Sequence, residues 1–168
     1  MKLGHCMTAL ITPMTDTGEL DLTALSNLVE KLIAEGCDGF VVCGTTAEAS
    51  ALSREEKQQV LRCVLKQSEG RVCVWMGCGT NNTAETLDLI RWVNAEPVDG
   101  IMLVCPYYVR PSQQGLYAHF AACARVSEKP LMLYNVPKRS GVALSAETVI
   151  RLAQDYPRIR ALKQACHD

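Results

Sequence analysis

Residues 72–105 read VCVWMGCGTNNTAETLDLIRWVNAEPVDGIMLVC, and this stretch decides the fold class. Its two ends, VCVWMG and GIMLVC, are almost continuously apolar, which is typical of parallel strands that are covered on both faces. Between them, Leu87, Ile90 and Val93 recur at helical spacing after Asn82, whose side chain commonly begins a helix. The stretch therefore predicts a strand, a helix and a second strand parallel to the first.

The same alternation continues on both sides of this unit. Further strands are predicted at MTALITP, GFVVCGT, LMLYNVP and IRALK. Helices are predicted to begin after Asp21, Ser53, Ser112 and Ser145, and the first of them is predicted to end at Gly36. The chain is thus predicted to hold six strands and five helices, with roughly 30 residues in each unit.

Two α/β architectures are built from such units, an open doubly wound sheet and a (β/α)8 TIM barrel. A complete barrel takes about 250 residues, whereas this chain has 168. A chain of the barrel class with this length would supply only about the first six strands and five helices. We expect residues 1–168 to form one partial barrel domain.

The composition argues against several classes of function. The net charge is −1, which gives no electrostatic attraction to nucleic acid or to an anionic membrane. No apolar run approaches the roughly 18 residues that a membrane-spanning helix needs. The first residues, MKLGHCMTALITPMTD, become polar too early for a secretory signal. We therefore expect a cytoplasmic protein with neither a nucleic-acid partner nor a membrane partner.

The chain contains nine cysteines, none of which forms a C-x-x-C pair, and only three histidines. This pattern does not favour a structural zinc site, and we expect no metal. Most of the cysteines lie inside apolar runs such as GFVVCG. We expect them to be small buried side chains in a reducing compartment.

Reactive side chains follow most of the predicted strands. In parallel α/β folds the active site forms at the carboxyl ends of the strands, so these side chains would share one edge. They are Thr45, Thr46, Tyr107, Tyr108, Tyr134, Arg139 and Lys163. Desolvation disfavours the charged form of a lysine in an apolar strand, which makes its amine a better nucleophile. Such an amine beside hydroxyl groups that carry protons indicates Schiff-base chemistry on a keto acid.

Each of these residues also has an ordinary structural interpretation. A lysine at a strand end is commonly a solvated surface residue, paired tyrosines commonly pack in a core, and paired threonines commonly begin a helix. The segment GCGTNN, residues 77–82, lacks the final glycine of a dinucleotide-binding loop, so a nucleotide site is not favoured. The coincidence of the reactive groups at one edge is what favours catalysis.

Several segments together resemble the dihydrodipicolinate synthase and N-acetylneuraminate lyase family of class I aldolase-like barrels. They are TALITPM, GTTAEAS, CPYYVRPSQQGLYAHF, LYNVPKRSG and the strand that contains Lys163, in the order and spacing of that family. The resemblance implies a TIM barrel and a homo-oligomer, commonly a tetramer of paired dimers. It also implies a lyase that condenses pyruvate with L-aspartate 4-semialdehyde in lysine and diaminopimelate biosynthesis.

The resemblance assigns a role to each site residue. Lys163 matches the lysine that forms an imine with pyruvate, and Tyr134 matches the phenol that passes protons to and from that imine. Thr45 matches the hydroxyl that links two tyrosines of a proton relay. Tyr108 matches the second tyrosine, which in the family comes from the neighbouring subunit. Thr46 matches a residue that holds the pyruvate carboxylate.

The resemblance further matches Arg139 to the arginine that binds the carboxylate of aspartate semialdehyde. A second substrate with its own carboxylate suits this guanidinium, which favours the synthase over related aldolases that act on N-acetylneuraminate or 2-keto-3-deoxy sugar acids. No cofactor is implied, because the imine on Lys163 is itself the electron sink.

The chain departs from the family pattern at three places. Ala47 and Ala49 stand where the family has a glycine and a serine, and the segment after Lys163 reads QACH rather than a Glu-Ala-Thr/Ser-Gly pattern. Lys57 stands where some members carry a histidine in a regulatory lysine site, although Asn81, Glu85 and Tyr107 still match that site. We expect weak or absent feedback by lysine, because a cation at position 57 would repel it.

The last two strands of the family and its C-terminal helices have no counterpart in the sequence, so we expect apolar edges to be exposed. Two further hypotheses follow beside the enzyme. The chain could be an inactive truncated relative that docks on a complete barrel, or an open doubly wound nucleotide-binding domain, although the latter lacks a phosphate loop.

Overall fold

The computed structural model describes residues 3–166 and alternates strands with helices in the predicted order. The described chain divides into two compact units. Unit 1 contains the described residues up to Gly77 together with Pro97–Asp99, and unit 2 contains Cys78–Glu96 together with the described residues from Gly100 onward.

Unit 1 contains three parallel strands and two long helices. Its elements are β1 (Met7–Ala9), α1 (Leu22–Ala34), β2 (Gly39–Val42), a short 3₁₀ helix (Thr45–Ala47), α2 (Arg54–Ser68) and β3 (Cys73–Gly77). Gly39 of β2 lies opposite Met7 of β1 and opposite Cys73 of β3. α1 packs against α2, and Arg71 donates two hydrogen bonds to the Glu30 carboxylate of α1.

Unit 2 contains the other three strands, which are also parallel. Its elements are α3 (Thr83–Asn94), β4 (Gly100–Val104), α4 (Gln113–Val126), β5 (Leu131–Asn135), α5 (Pro137–Ser140), α6 (Ala146–Asp155) and β6 (Ile159–Gln164). Ile101 of β4 lies opposite Leu131 of β5. The pairing of β5 with β6 shifts by one residue after Leu131, and from there Tyr134 lies opposite Lys163.

All five helix starts that the sequence predicts are confirmed. The side chains at these positions each accept a hydrogen bond from a backbone N–H in the first turn of the helix. They are Asp21, Ser53, Asn82, Ser112 and Ser145. The predicted end of α1 is confirmed as well, because Gly36 takes a φ of +92°, a conformation that suits glycine after a helix.

The structure adds two short helices to the five predicted ones. A sixth α-helix, α5, and the 3₁₀ helix both lie in loops that follow strands. α5 spans four residues and has Pro137 in its first turn, where the fixed φ of proline suits a helix and its missing N–H costs nothing. Neither helix is long enough to show an apolar period, and neither has a side-chain cap.

The strands differ in how they are covered. Every residue of β2 and β5 is buried, as expected for strands covered on both faces. The same expectation is wrong for β6, in which exposure alternates and Leu162 is 42% exposed. Ile150 of α6 is 56% exposed. Within residues 3–166, nothing covers these two apolar side chains, so the expected exposure of apolar side chains in this part of the chain is confirmed.

Six of the nine cysteines are buried, as the apolar runs predicted. In the described part of the chain, no group of three or more His, Cys, Asp and Glu side chains is placed to hold a metal ion. Among the helices of residues 3–166, none combines the length and apolarity that a membrane crossing requires.

Candidate active site

The structure brings Lys163 of β6 and Tyr134 of β5 together. Side chains alternate along β6, and Ile159, Ala161 and Lys163 are less exposed than the residues between them. The register of the two strands places Lys163 opposite Tyr134, and its Nζ lies 4.5 Å from the centre of the tyrosine ring. Lys163 is half-buried and Tyr134 is buried.

The surroundings of Lys163 make its amine more reactive. Burial lowers the pKa of Lys163 below its ordinary value, because the ammonium loses hydration. A larger share of neutral amine near neutral pH makes the side chain a better nucleophile toward a carbonyl carbon. The adjacent Tyr134 supplies a phenol that can carry protons to and from the adduct of the amine with the carbonyl group.

Asn135, which the sequence analysis did not single out, connects three parts of this region. It is 2% exposed. Its Nδ2 donates to the Leu144 carbonyl at 3.2 Å and to Gln164 Oε1 at 3.2 Å, and its Oδ1 accepts from the Leu144 N–H at 3.0 Å. The only signal in the sequence is an amide side chain inside the apolar run LMLYNVP.

Arg139 lies on α5 in the loop after β5, and its side chain is exposed. The loop is held from inside by Ser140, which is 1% exposed. The Ser140 hydroxyl contacts the carbonyl oxygens of Val136 at 3.1 Å and Val142 at 2.8 Å. The guanidinium of Arg139 is thus presented to solvent from a short, internally bonded loop.

Tyr108 lies in the loop after β4 and is 87% exposed. Tyr108 and Arg110 have φ values of +71° and +48°, which are unusual outside glycine and cost about 1 kcal/mol or more each. The Tyr108 N–H donates to the Ser140 carbonyl at 3.2 Å, and Arg110 Nε donates to the Gly141 carbonyl at 3.0 Å. The Tyr108 loop is therefore joined to the loop that carries Arg139.

Thr45 and Thr46 lie in unit 1, on the exposed surface of the 3₁₀ helix after β2. The Ala47 carbonyl accepts a hydrogen bond from Thr12 Oγ1 at 2.9 Å, and Ala47 itself is 1% exposed. The alanine that replaces the family's glycine is therefore packed inside this turn. The other four predicted site residues, Tyr108, Tyr134, Arg139 and Lys163, belong to unit 2.

The turn that carries the two threonines begins at a strained residue. Cys43 has a φ of +53°, and a Cβ atom added to Gly77 of β3 would overlap the Cys43 carbonyl oxygen. Only glycine allows the two backbones to approach this closely. Burial also raises the pKa of the Cys43 thiol to about 12, so Cys43 packs as a neutral side chain.

Of the four residues that match a regulatory lysine site, three belong to unit 2 and Lys57 belongs to unit 1. In unit 2, burial raises the pKa of the Tyr107 phenol and the Glu85 carboxylate adds to this effect, while the Asn81 N–H bonds to the phenol and opposes it. Lys57 lies on α2 in unit 1, where it is 8% exposed and close enough to Cys43 to lower the pKa of that thiol slightly. The weak response to lysine expected from position 57 stays a prediction.

Comparison with known proteins gives consistent matches over this chain. Residues 2–168 match a sequence model of the dihydrodipicolinate synthetase family. The chain is 45% identical, over 168 residues, to the 4-hydroxy-tetrahydrodipicolinate synthase of Bacillus subtilis strain 168. This match covers 100% of the chain and 58% of the relative, so the chain spans little more than half the length of the curated relatives it matches.

Solved structures match to the same extent. The 4-hydroxy-tetrahydrodipicolinate synthase of Methylacidiphilum fumariolicum SolV superimposes with a TM-score of 0.95 at 40% identity, over 99% of this chain and 55% of that one. The chloride-inhibited dihydrodipicolinate synthase of Acinetobacter baumannii, complexed with pyruvate, gives a TM-score of 0.93 at 41% identity, over 96% and 55%. These matches cover both units.

Proposed function

Because this chain belongs to the dihydrodipicolinate synthetase family, we propose that it carries Schiff-base residues of a 4-hydroxy-tetrahydrodipicolinate synthase, a lyase. The reaction joins pyruvate to L-aspartate 4-semialdehyde. The observation that carries the proposal is the pairing of Lys163 with Tyr134, in which Nζ lies 4.5 Å from the ring centre and burial lowers the lysine pKa.

In this mechanism the neutral Lys163 amine attacks the ketone carbon of pyruvate. Tyr134 passes a proton to the resulting hydroxyl group, which leaves as water when the carbon–nitrogen double bond forms. Loss of a methyl proton then converts the imine into an enamine, whose carbon attacks the aldehyde of the second substrate. The amine of that substrate finally displaces Lys163 by closing the ring. The lysine holds the electrons, so the reaction needs no metal and no organic cofactor.

The remaining site residues bind the substrate carboxylates and relay protons. The hydroxyl of Thr45 serves in the proton relay, Thr46 holds the pyruvate carboxylate, and the guanidinium of Arg139 binds the carboxylate of the aldehyde substrate. The short, internally bonded loop of Arg139 supports the last role, because a fixed loop holds the backbone from which this exposed guanidinium extends.

The proposal includes a cytoplasmic homo-oligomer. Tyr108 is 87% exposed and sits on a strained backbone, which supports a role in the site of a neighbouring copy rather than in its own. A strained residue that its own chain leaves uncovered commonly has a function elsewhere.

The proposal is tested by reductive trapping. The purified chain is incubated with pyruvate and sodium borohydride, which reduces an imine to a stable carboxyethyl amine, and peptides are mapped by mass spectrometry. We expect the adduct on Lys163, its loss in Lys163→Arg, and its retention in Lys31→Arg, which changes an exposed lysine of α1. A folded chain without an adduct on Lys163 would overturn the proposal.

A further inference from the structure

The buried side-chain amide of Asn135 in unit 2 bonds with two separate segments. Its donor and acceptor both pair with the backbone of Leu144, and the same Nδ2 reaches Gln164 Oε1. The Asn135 carbonyl also accepts from the Ala165 N–H at 2.9 Å. A 2% exposed amide with these partners is tightly fixed in place.

The bond to Gln164 concerns the lysine. Asn135 directly follows Tyr134 on β5, and Gln164 directly follows Lys163 on β6, where the two are register partners. The 3.2 Å bond between their side chains therefore joins the two strands one residue beyond the Lys163–Tyr134 pair. Without it, the last residues of β6 would lose a side-chain link to β5 next to the reactive amine.

The bonds to Leu144 concern the arginine. Residues 136–143 form the loop that contains α5 and Arg139. Asn135 precedes this loop and Leu144 follows it, so the paired bonds of 3.0 and 3.2 Å close its two ends. Leu144 is buried, and its N–H and carbonyl would be left unpaired if the amide were removed.

We propose that Asn135 is a positioning residue that sets the Lys163–Tyr134 separation through Gln164 and fixes the Arg139 loop through Leu144. Asn135 acts through these neighbours and does not itself touch a substrate. This inference rests on the proposed function. It adds to that function a residue that serves both halves of the reaction, the imine with pyruvate and the binding of the second carboxylate.

Asn94 provides a matched control, because replacing it measures what the loss of similar hydrogen bonds does to the fold alone. It is also an asparagine of unit 2, and its side chain also pairs with backbone groups on two sides, donating to Val126 and accepting from Glu128, both at 2.9 Å. Glu128 precedes β5, whereas Lys163 lies near the carboxyl end of β6. Removing Asn94 therefore takes comparable bonds from the fold and none from the site.

The test measures the rate of pyruvate trapping on Lys163 at a series of pyruvate concentrations in wild type, Asn135→Ala and Asn94→Ala. Urea unfolding measures the folded fraction of each protein. For Asn135→Ala we expect the maximal rate to fall about tenfold or more, because small misplacements of reacting groups are costly. The half-saturating concentration should change by less than about twofold, because the groups that bind pyruvate remain. Asn94→Ala should keep the wild-type maximal rate.

Gln164→Ala keeps the inference testable if Asn135→Ala fails to fold, because Gln164 is exposed. It leaves the bonds between Asn135 and Leu144 in place and removes the link between β5 and β6, together with the Gln164 Nε2 bond to Cys166 Sγ. We expect its maximal rate to fall several-fold. The inference is overturned if the folded Asn135→Ala and Gln164→Ala variants both keep the wild-type maximal rate. If Asn135→Ala does not fold, a wild-type maximal rate in Gln164→Ala alone overturns it. Either result leaves the proposed function intact. A wild-type chain that forms no adduct would overturn both.

Discussion

Lys163 shows how one residue acquires reactivity from its position in a strand. It occupies a half-buried place on β6, opposite a buried tyrosine, and it sits among residues that alternate between covered and exposed. An ammonium in this place loses hydration, and burial is the only cause that lowers its pKa. The same lysine in an unfolded chain would keep its ordinary pKa, so the lowered pKa belongs to the fold.

This difference predicts the pH dependence of trapping. The neutral amine reacts, and its share rises as the pH rises through the lysine pKa. A lowered pKa moves this rise to lower pH, so Lys163 in the folded chain should reach half of its maximal trapping rate at a lower pH than the lysine of the peptide IRALKQA, residues 159–165. The measurement is the rate of reductive trapping between neutral and strongly basic pH. Superimposed profiles would contradict the prediction.

His119 shows how helix packing can depend on pH. It is 5% exposed on α4, and its Nδ1 shares a hydrogen bond of 2.9 Å with Thr83 Oγ1 at the start of α3. Its Nε2 faces Cys123 Sγ at 3.9 Å on the next turn of α4, and burial lowers the His119 pKa from 6.5 to about 4. Burial therefore favours the neutral imidazole at the contact between α3 and α4.

The sign of the effect follows from proton binding. Between pH 6.5 and about 4, His119 is mostly protonated in the unfolded chain and mostly neutral in the folded chain. Stability is therefore full above pH 6.5 and is lost as the pH falls toward 4, by an amount on the order of 3 kcal/mol. Urea unfolding of wild type and His119→Gln at several pH values measures it.

The difference in free energy of unfolding between wild type and His119→Gln should shrink as the pH falls. His5→Gln is the control, because His5 is fully exposed and pairs with Asp38 at the surface. The difference in free energy of unfolding between wild type and His5→Gln should not shrink in the same way as the pH falls. A constant difference for His119→Gln would show that the packing of α3 on α4 tolerates the charged ring.

At the scale of elements, the sequence was most informative where a side chain acts on its own helix. Asp21, Ser53 and Asn82 each bond to an N–H within three residues, so their signal is local and could be read directly. α5 carries no such signal, because its position depends on Pro137 and on the hydroxyl of Ser140 inside the loop.

The same physical distinction holds in the site. Lys163 and Tyr134 could be predicted because each ends an apolar strand and carries a reactive group. Asn135 could not, because its partners lie nine and twenty-nine residues away and no periodic pattern relates them. The strain at Tyr108 was equally invisible, since a positive φ in a residue other than glycine is set by the surrounding loops.

At the scale of the whole molecule, the surface around Tyr108 is the feature that its own chain does not explain. Val109, the next residue, is 57% exposed, so two large apolar side chains stand side by side in the solvent. The loop is nevertheless held by Arg110 and by the Tyr108 backbone against the residues after α5. A fixed loop that presents apolar groups outward is typical of an interface with another copy.

Subunit mixing tests whether Tyr108 serves the site of a second copy. Lys163→Ala lacks the nucleophile and should trap no pyruvate at position 163, whereas Tyr108→Phe lacks the phenol and should trap it on Lys163 at a residual rate. After the two are unfolded together and refolded at equal amounts, a mixed dimer combines the intact lysine of one copy with the intact tyrosine of the other. Random pairing in a symmetric dimer then restores about a quarter of the wild-type rate on Lys163. A tyrosine that acts within its own chain would give no gain, because no copy in the mixture carries both groups, and the rate would equal the mean of the two variants refolded separately.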